Sequence, residues 1–148
     1  MGLYNRAREI GERTLQFTRE TSEAHLIRAW EPGRVRIADR WLEGPIIVSP
    51  DRIIDRWHVR EPARLELNDL QPAIQLQPEI ILLGTGTDLL LPDVELMSAL
   101  ASLGVGLEIM STPAACRTFN VLVHERRRVV AALVNFPRLD SREASTPG

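Results

Sequence analysis

The chain contains no lysine; all 18 of its basic residues are arginine. No lysine can therefore serve as a catalytic base or Schiff-base nucleophile. Cysteine occurs once, at Cys116. A lone cysteine excludes an internal disulfide and a zinc site built from cysteines. It suits a reducing compartment. His25, His58 and His124 are scattered without metal-ligand spacing. The net charge of -2 leaves no basic footprint for nucleic acid. No apolar run approaches the roughly 18 residues of a membrane span. The N-terminal segment lacks the apolar core of a signal peptide. Its four arginines before Ser22 are matched by Glu9, Glu12, Glu20 and Glu23, whereas a mitochondrial transit peptide is poor in acids. These absences lead to the expectation of a soluble, cytoplasmic protein.

What is present suffices for one domain with a real core. The chain has 148 residues, of which 44% are hydrophobic and 26% charged. Residues 1–24 are polar and charge-balanced and read as an extension. From His25 the pattern becomes that of strands. LIRAW is followed by the turn signal Glu31-Pro32-Gly33, and Val35 and Ile37 then alternate with Arg34 and Arg36. A second run, Trp41 to Val48, is interrupted by Gly44-Pro45, which implies a bend, bulge or edge. After Ser49-Pro50-Asp51, IIDRWHV reads as a third strand. Residues 25–60 are thus expected to form a small antiparallel sheet. Asn68 is the expected N-cap of a short helix, with Asp69 in its first turn and Pro72 near its start.

The stretch from Pro78 to Val134 carries most of the information. Ile80–Leu83 is a continuous apolar run that suits a strand buried on both faces. Pro92 suits the first turn of a helix whose apolar stripe is Val94, Met97, Leu100 and Leu103, closed by Gly104. Val105–Met110 is the next strand. Ser111 or Thr112 caps a second helix with Pro113 at its first position. Val129–Val134 is the last strand. The order strand-helix-strand-helix-strand predicts parallel neighbours with right-handed crossovers. The fold class is α/β: one mixed domain over 25–135, made of an antiparallel layer (about 25–60) and a β-α-β-α-β unit (about 79–134), with a tail over 136–148.

Several residues in this stretch invite a functional reading. Gly84-Thr85-Gly86 is either a phosphate-binding turn or a tight structural one. A dinucleotide fingerprint needs a third glycine near Leu89 and an immediate helix, and Leu89-Leu90-Leu91-Pro92 delays it. Cys116 lies eight positions before His124, about 12 Å along a helix and on another side, which argues against a nucleophile-base pair. A helix N-terminus lowers a thiol pKa, and burial raises it. Parallel neighbours at 80–84 and 105–110 bring the loop at Gly84–Asp88 to the N-terminus of the second helix, where open α/β sheets bind ligands. The candidate ligand or partner site is Gly84, Thr85, Gly86, Asp88, Glu108, Thr112, Arg117 and Asn120, with Thr118 beside them. Alternatively, Arg117 pairs with Glu108 or Asp88 and only fixes the loop. Arg126-Arg127-Arg128 with Glu125 reads as a solvated turn at a helix C-terminus.

The segments GPIIVSPDRIIDRW, PEIILLGTG and GVGLEIMSTPAACRTFNVLVHERRRVVAAL carry a family resemblance over roughly Ala24 to Val134. The chain resembles the small domain proteins of largely unknown function that include a mitochondrial respiratory complex I assembly factor and an adipogenesis-associated domain protein. That resemblance implies the MTH-type domain fold, a single mixed α/β domain. It also implies an association of eukaryotic members with assembly of a respiratory complex, and of some bacterial members with protein translocation. It supplies no catalytic residue and no cofactor. The function expected is a non-enzymatic accessory or assembly factor acting on an unknown protein partner. The alternative is a small-molecule or anion-binding protein, or an enzyme, using the crevice between Gly84–Asp88 and Thr112.

Overall fold

The structure, a computed structural model, describes residues 24–59 and 61–136. The N-terminal extension and C-terminal tail expected from the sequence lie outside these residues, apart from Ala24 and Phe136. Eight strands occur among the described residues: β1 (Ile27–Glu31), β2 (Arg34–Ile37), β3 (Arg40–Glu43), β4 (Ile46–Val48), β5 (Ile53–Ile54), β6 (Ile80–Gly84), β7 (Gly106–Met110) and β8 (Val129–Leu133). The helices are α1 (Gln71–Ile74), α2 (Val94–Ser102) and α3 (Thr112–His124), with 3-10 turns at Pro62–Arg64 and Leu67–Leu70.

A five-stranded mixed sheet in the order β5-β4-β8-β6-β7 forms the centre. β6 is parallel to both β7 and β8, and β4 is antiparallel to β8 and β5. The apolar run at Ile80–Leu83 is thus a central strand covered on both faces, as its composition requires. Successive side chains point to opposite faces. Leu82, Val129, Ala131 and Leu133 join one core with Ile46 and Val48, and Ile81, Leu83, Val130, Ala132 and Val134 join another with Ile47.

The first crossover runs from β6 out to β7, and the second runs back from β7 past β6 to β8, so the two move in opposite directions across the sheet. Right-handed connections then place their helices on opposite faces. Accordingly, Phe119, Ala115 and Cys116 of α3 lie in the first core, while Leu96 and Leu100 of α2 lie in the second. The three-stranded antiparallel sheet β1-β2-β3 contributes Ile27, Val35, Ile37 and Leu42 to the first core. Fully burying one such side chain stabilises by about 1.5–3 kcal/mol, so both cores are substantial.

The structure corrects several local expectations. The strands of 25–60 do not form one sheet. Gly44 takes a φ of +81°, and the chain passes there from β3 in the small sheet to β4 in the large one. The expected strand IIDRWHV is a strand over Ile53–Ile54 and then turns at Arg56, whose φ is +59°. Trp57 and Val59 still reach the core, and the Trp57 indole donates to the Asp69 carbonyl at 2.8 Å. The cap near Asn68 is Glu66 instead; its amide donates to the Asp69 carboxylate at 2.9 Å. Pro92 precedes the N-cap Asp93 rather than opening α2. The stripe of α2 is also rotated: Leu96 and Leu100 are buried, whereas Val94, Met97 and Leu103 are exposed. Leu100 belongs to both possible stripes, so spacing alone does not choose between them.

The charge cluster Arg126–Arg128 is a turn bound to the start of β6. Arg126 has a φ of +60°, the Arg127 guanidinium donates to Glu79 at 2.9 Å, and Arg128 Nε donates to the Gln77 carbonyl. The hydrogen bonds from Arg127 and the Arg128 amide hold the Glu79 carboxyl below its ordinary pKa.

A Cβ at Gly84 would stand 3.0 Å from Leu133 Cδ2, 3.1 Å from Thr112 Cα and 3.1 Å from Thr112 Oγ1. Gly84→Ala therefore forces the N-terminus of α3 off the end of β6. The expected cost is about 1–3 kcal/mol, the usual range for overpacking. It is read as a lower urea midpoint at unchanged denaturant slope.

Candidate functional site

The parallel pairing of β6 with β7 brings their C-terminal ends together, and the 84–88 loop meets the start of α3. The two are joined directly. The Thr112 amide donates to the Gly86 carbonyl at 2.8 Å, and the Gly86 amide donates to Thr112 Oγ1 at 2.8 Å. Thr112 is fully buried. Within the loop, the Thr85 hydroxyl donates to the Asp88 carbonyl at 2.7 Å and accepts from the Leu90 amide at 3.2 Å. The Thr85 amide donates to the Met110 carbonyl at 3.0 Å. Glycine is required at Gly86, whose φ is +94°. The glycines and threonines thus tie a turn to a helix through hydrogen bonds among their own polar groups.

Ser111 is the N-cap of α3, accepting from the Ala114 amide. Pro113, in the first turn, has no amide proton to leave unsatisfied there. The buried face of α3 carries Ala115, Cys116 and Phe119, with Leu122 and Val123 packed beside them. On the side toward β1, the Asn120 side chain accepts from the Ile27 amide and donates to the Ile27 carbonyl, each at 2.8 Å. Asn120 is therefore a clasp between the helix and the small sheet.

Arg117 and Asp88 are the exposed members of the expected site nearest to this junction. Among the described residues, Arg117 forms no salt bridge, and neither Asp88 nor Glu108 reaches it. Arg117 borders a shallow groove of about 200 Å³ between β1 and α3, with Arg28, Trp30 and Pro113. Glu108 is exposed on β7. No group of three or more His, Cys, Asp or Glu side chains suited to a metal occurs among the described residues.

Two features escaped sequence reasoning. One is a cavity of about 280 Å³ on the other side of Trp30, reached by Asp88, Leu90, Asn135 and Phe136. Trp30 and Asn135 lie more than 100 residues apart, and no local pattern links them. The other is an exposed apolar segment: Leu89 at 57%, Leu90 at 42%, Leu91 at 65%, Val94 at 72% and Met97 at 41%. Its signal was visible as three leucines placed between Asp88 and Pro92, outside any element.

With this geometry established, comparison with known proteins places the chain. The family described as "Protein of unknown function (DUF498/DUF598)" matches residues 27–134. The chain belongs to this family. It is 31% identical over 121 residues to the zebrafish (Danio rerio) protein named NADH dehydrogenase [ubiquinone] 1 alpha subcomplex assembly factor 3, covering 80% of this chain and 69% of that protein. Its fold is similar to a solved Xanthomonas campestris protein, with TM-score 0.71 and 31% identity over 78% of this chain and 88% of that one. It is also similar to a Bordetella pertussis protein described as a Mth938-like domain, with TM-score 0.68 and 27% identity over 83% and 93% of the two chains. The family match and the mixed α/β fold agree with the resemblance read from the segments at 44–57, 78–86 and 104–133.

Burial pushes the Cys116 thiol up to about 12, and the neighbouring Arg117 charge offsets this only in part. The helix N-terminus therefore does not make a reactive thiolate. Iodoacetamide at neutral pH is expected to modify Cys116 in urea-unfolded protein and to leave the native protein unlabelled, as mass spectrometry would show. The native state also holds the thiol proton to higher pH than the unfolded chain does. Stability is therefore expected to fall as pH rises from the ordinary thiol value of 9.0 toward about 12. Cys116→Ala should lack that component in urea titrations taken across this range.

Proposed function

We propose that this chain is an accessory or assembly factor that acts through protein contacts. The observation that carries the reading is the exposed apolar segment Leu89–Leu91 with Val94 and Met97 of α2. Five large aliphatic side chains exposed within nine residues are unusual on a monomer's surface, and such patches mark interaction sites. The similarity to proteins named as assembly factors of a respiratory NADH dehydrogenase agrees with it. So does the lack of any metal-binding cluster or reactive thiol among the described residues.

The segment also indicates what it binds. Asp88, Asp93 and Glu95 are exposed around the leucines and take part in no salt bridge among the described residues. Glu66, Asp93 and Glu95 line a neighbouring groove beside α2. An apolar ridge with an acidic rim favours a protein surface with aliphatic side chains and flanking basic ones. It disfavours an anionic lipid surface. Arg117, on the other side of the loop, extends the contact site to the start of α3. No helix of the described residues is long and apolar enough to cross a membrane.

The test is co-purification from the native cell with quantitative mass spectrometry. Leu89→Ser, Leu91→Ser and Val94→Ser are combined in one variant, with Arg117→Ala as a second. The leucine variant should keep its fold, since exposed substitutions usually change stability by about 0.5 kcal/mol or less each. Subunits of a respiratory or other membrane complex are expected to be enriched with the wild type and depleted at least tenfold with the leucine variant. Arg117→Ala should produce a smaller loss. Equal recovery by wild type and leucine variant would refute the reading.

A further inference from the structure

Burying a hydrogen-bond donor without an acceptor costs about 1–3 kcal/mol, so native structures hold few. Among the described residues two buried side-chain nitrogens have no partner: Trp30 Nε1 and Asn135 Nδ2. They come from distant parts of the sequence, yet both residues line one cavity, the one of about 280 Å³ beside the 85–90 loop. Asn135 is itself 2% exposed. The Trp57 indole, by contrast, is satisfied by the Asp69 carbonyl. The unmet donors are therefore concentrated at one place rather than spread through the fold.

The rest of the wall states what kind of group would satisfy them. Pro32, Pro62, Val134 and Phe136 give it an apolar character, and among the described residues Asp88 is its one charged lining residue. Among the described residues no arginine lines it. A carboxylate or phosphate would meet Asp88 with no described cation to offset the repulsion. A neutral carbonyl has two lone pairs, can accept two hydrogen bonds and carries no such penalty. The volume lies just below the roughly 300–1,000 Å³ typical of small-molecule sites.

We propose that this cavity binds a small neutral ligand with a carbonyl acceptor, an amide or lactam on a compact apolar body. The carbonyl oxygen accepts from Trp30 Nε1 and Asn135 Nδ2, and the apolar body rests on the prolines and Phe136. Solvent reaches neither nitrogen in the unliganded structure. Binding therefore includes a turn of both the Trp30 indole and the Asn135 amide toward the cavity. This site adjoins the partner surface, sharing Asp88 and Leu90 with it, but does not depend on Leu89, Leu91 or Val94.

The experiment is nitrogen-15 NMR of the full chain, observing the Trp30 indole and the Asn135 side-chain amide. The probes are cyclohexanecarboxamide, caprolactam, cyclohexanecarboxylate and methylcyclohexane. The amide and lactam are expected to shift both resonances saturably, at least tenfold more tightly than the carboxylate or the hydrocarbon. A site that hydrogen-bonds its ligand discriminates strongly against analogues that lack the acceptor. Trp30→Phe and Asn135→Leu should each weaken the amide at least tenfold. Because Asn135→Leu replaces an unmet donor with an apolar group, it should fold at least as well as the wild type. Trp30→Phe provides the second readout if it does not. The proposal is overturned if no probe shifts either resonance, if carboxylate binds as tightly as amide, or if the variants bind amide unchanged. Ordered water alone as the partner of both nitrogens would give the first of these results.

Discussion

The rest of the molecule depends on the close approach of the end of β6 to the start of α3. A Cβ at Gly84 would crowd Leu133 and Thr112 at 3.0–3.1 Å. That contact lets the Thr112 amide donate to the Gly86 carbonyl and the Gly86 amide donate to the Thr112 hydroxyl. Through it the five-stranded sheet, its α3 layer and the 85–90 loop are fixed together. The adjacent β8 delivers Val134 to the same place, where its amide donates to the Gly84 carbonyl at 2.8 Å. In an open α/β sheet the crevice outside the carboxyl ends of the strands is the usual ligand site. Here it is filled by the protein's own threonines, and the free space lies to one side, under Trp30.

Sequence reasoning reached the architecture because the strongest signals were local and periodic. Ile80–Leu83 could be nothing but a strand covered twice, and Ser111-Thr112-Pro113 could hardly be anything but a helix start. The fold family followed from extended segments rather than a short motif. What was illegible depended on choices among equivalent local patterns. Leu100 serves two stripes on α2, and only the packing of Leu96 against the second core decides between them. Gly44-Pro45 announced a bend, but a bend does not say that the chain changes sheets.

The candidate site shows the same division. Position was legible: the 84–88 loop and α3 do meet. Role was not. Thr85, Thr112 and Asn120 looked available because polar side chains near a strand end often are, yet each is occupied by a main-chain group. Arg117 differs, since no described acid lies within salt-bridge distance. Asn135 entered no sequence argument at all. A single asparagine after a strand is common, and its unmet donor is visible only once Trp30 stands in the same wall.

Asn120 has a wider meaning for the edge of the small sheet. β1 is an edge of the small sheet, and an edge with free amides and carbonyls recruits further strands. At Ile27 that invitation is withdrawn, because a primary amide offers one donor and one acceptor in the same spacing as a neighbouring peptide unit. The helix side chain acts as a one-residue strand, closing the end of the edge that lies over the core. Among the described residues the small sheet has three strands, and Asn120 occupies its β1 edge at Ile27.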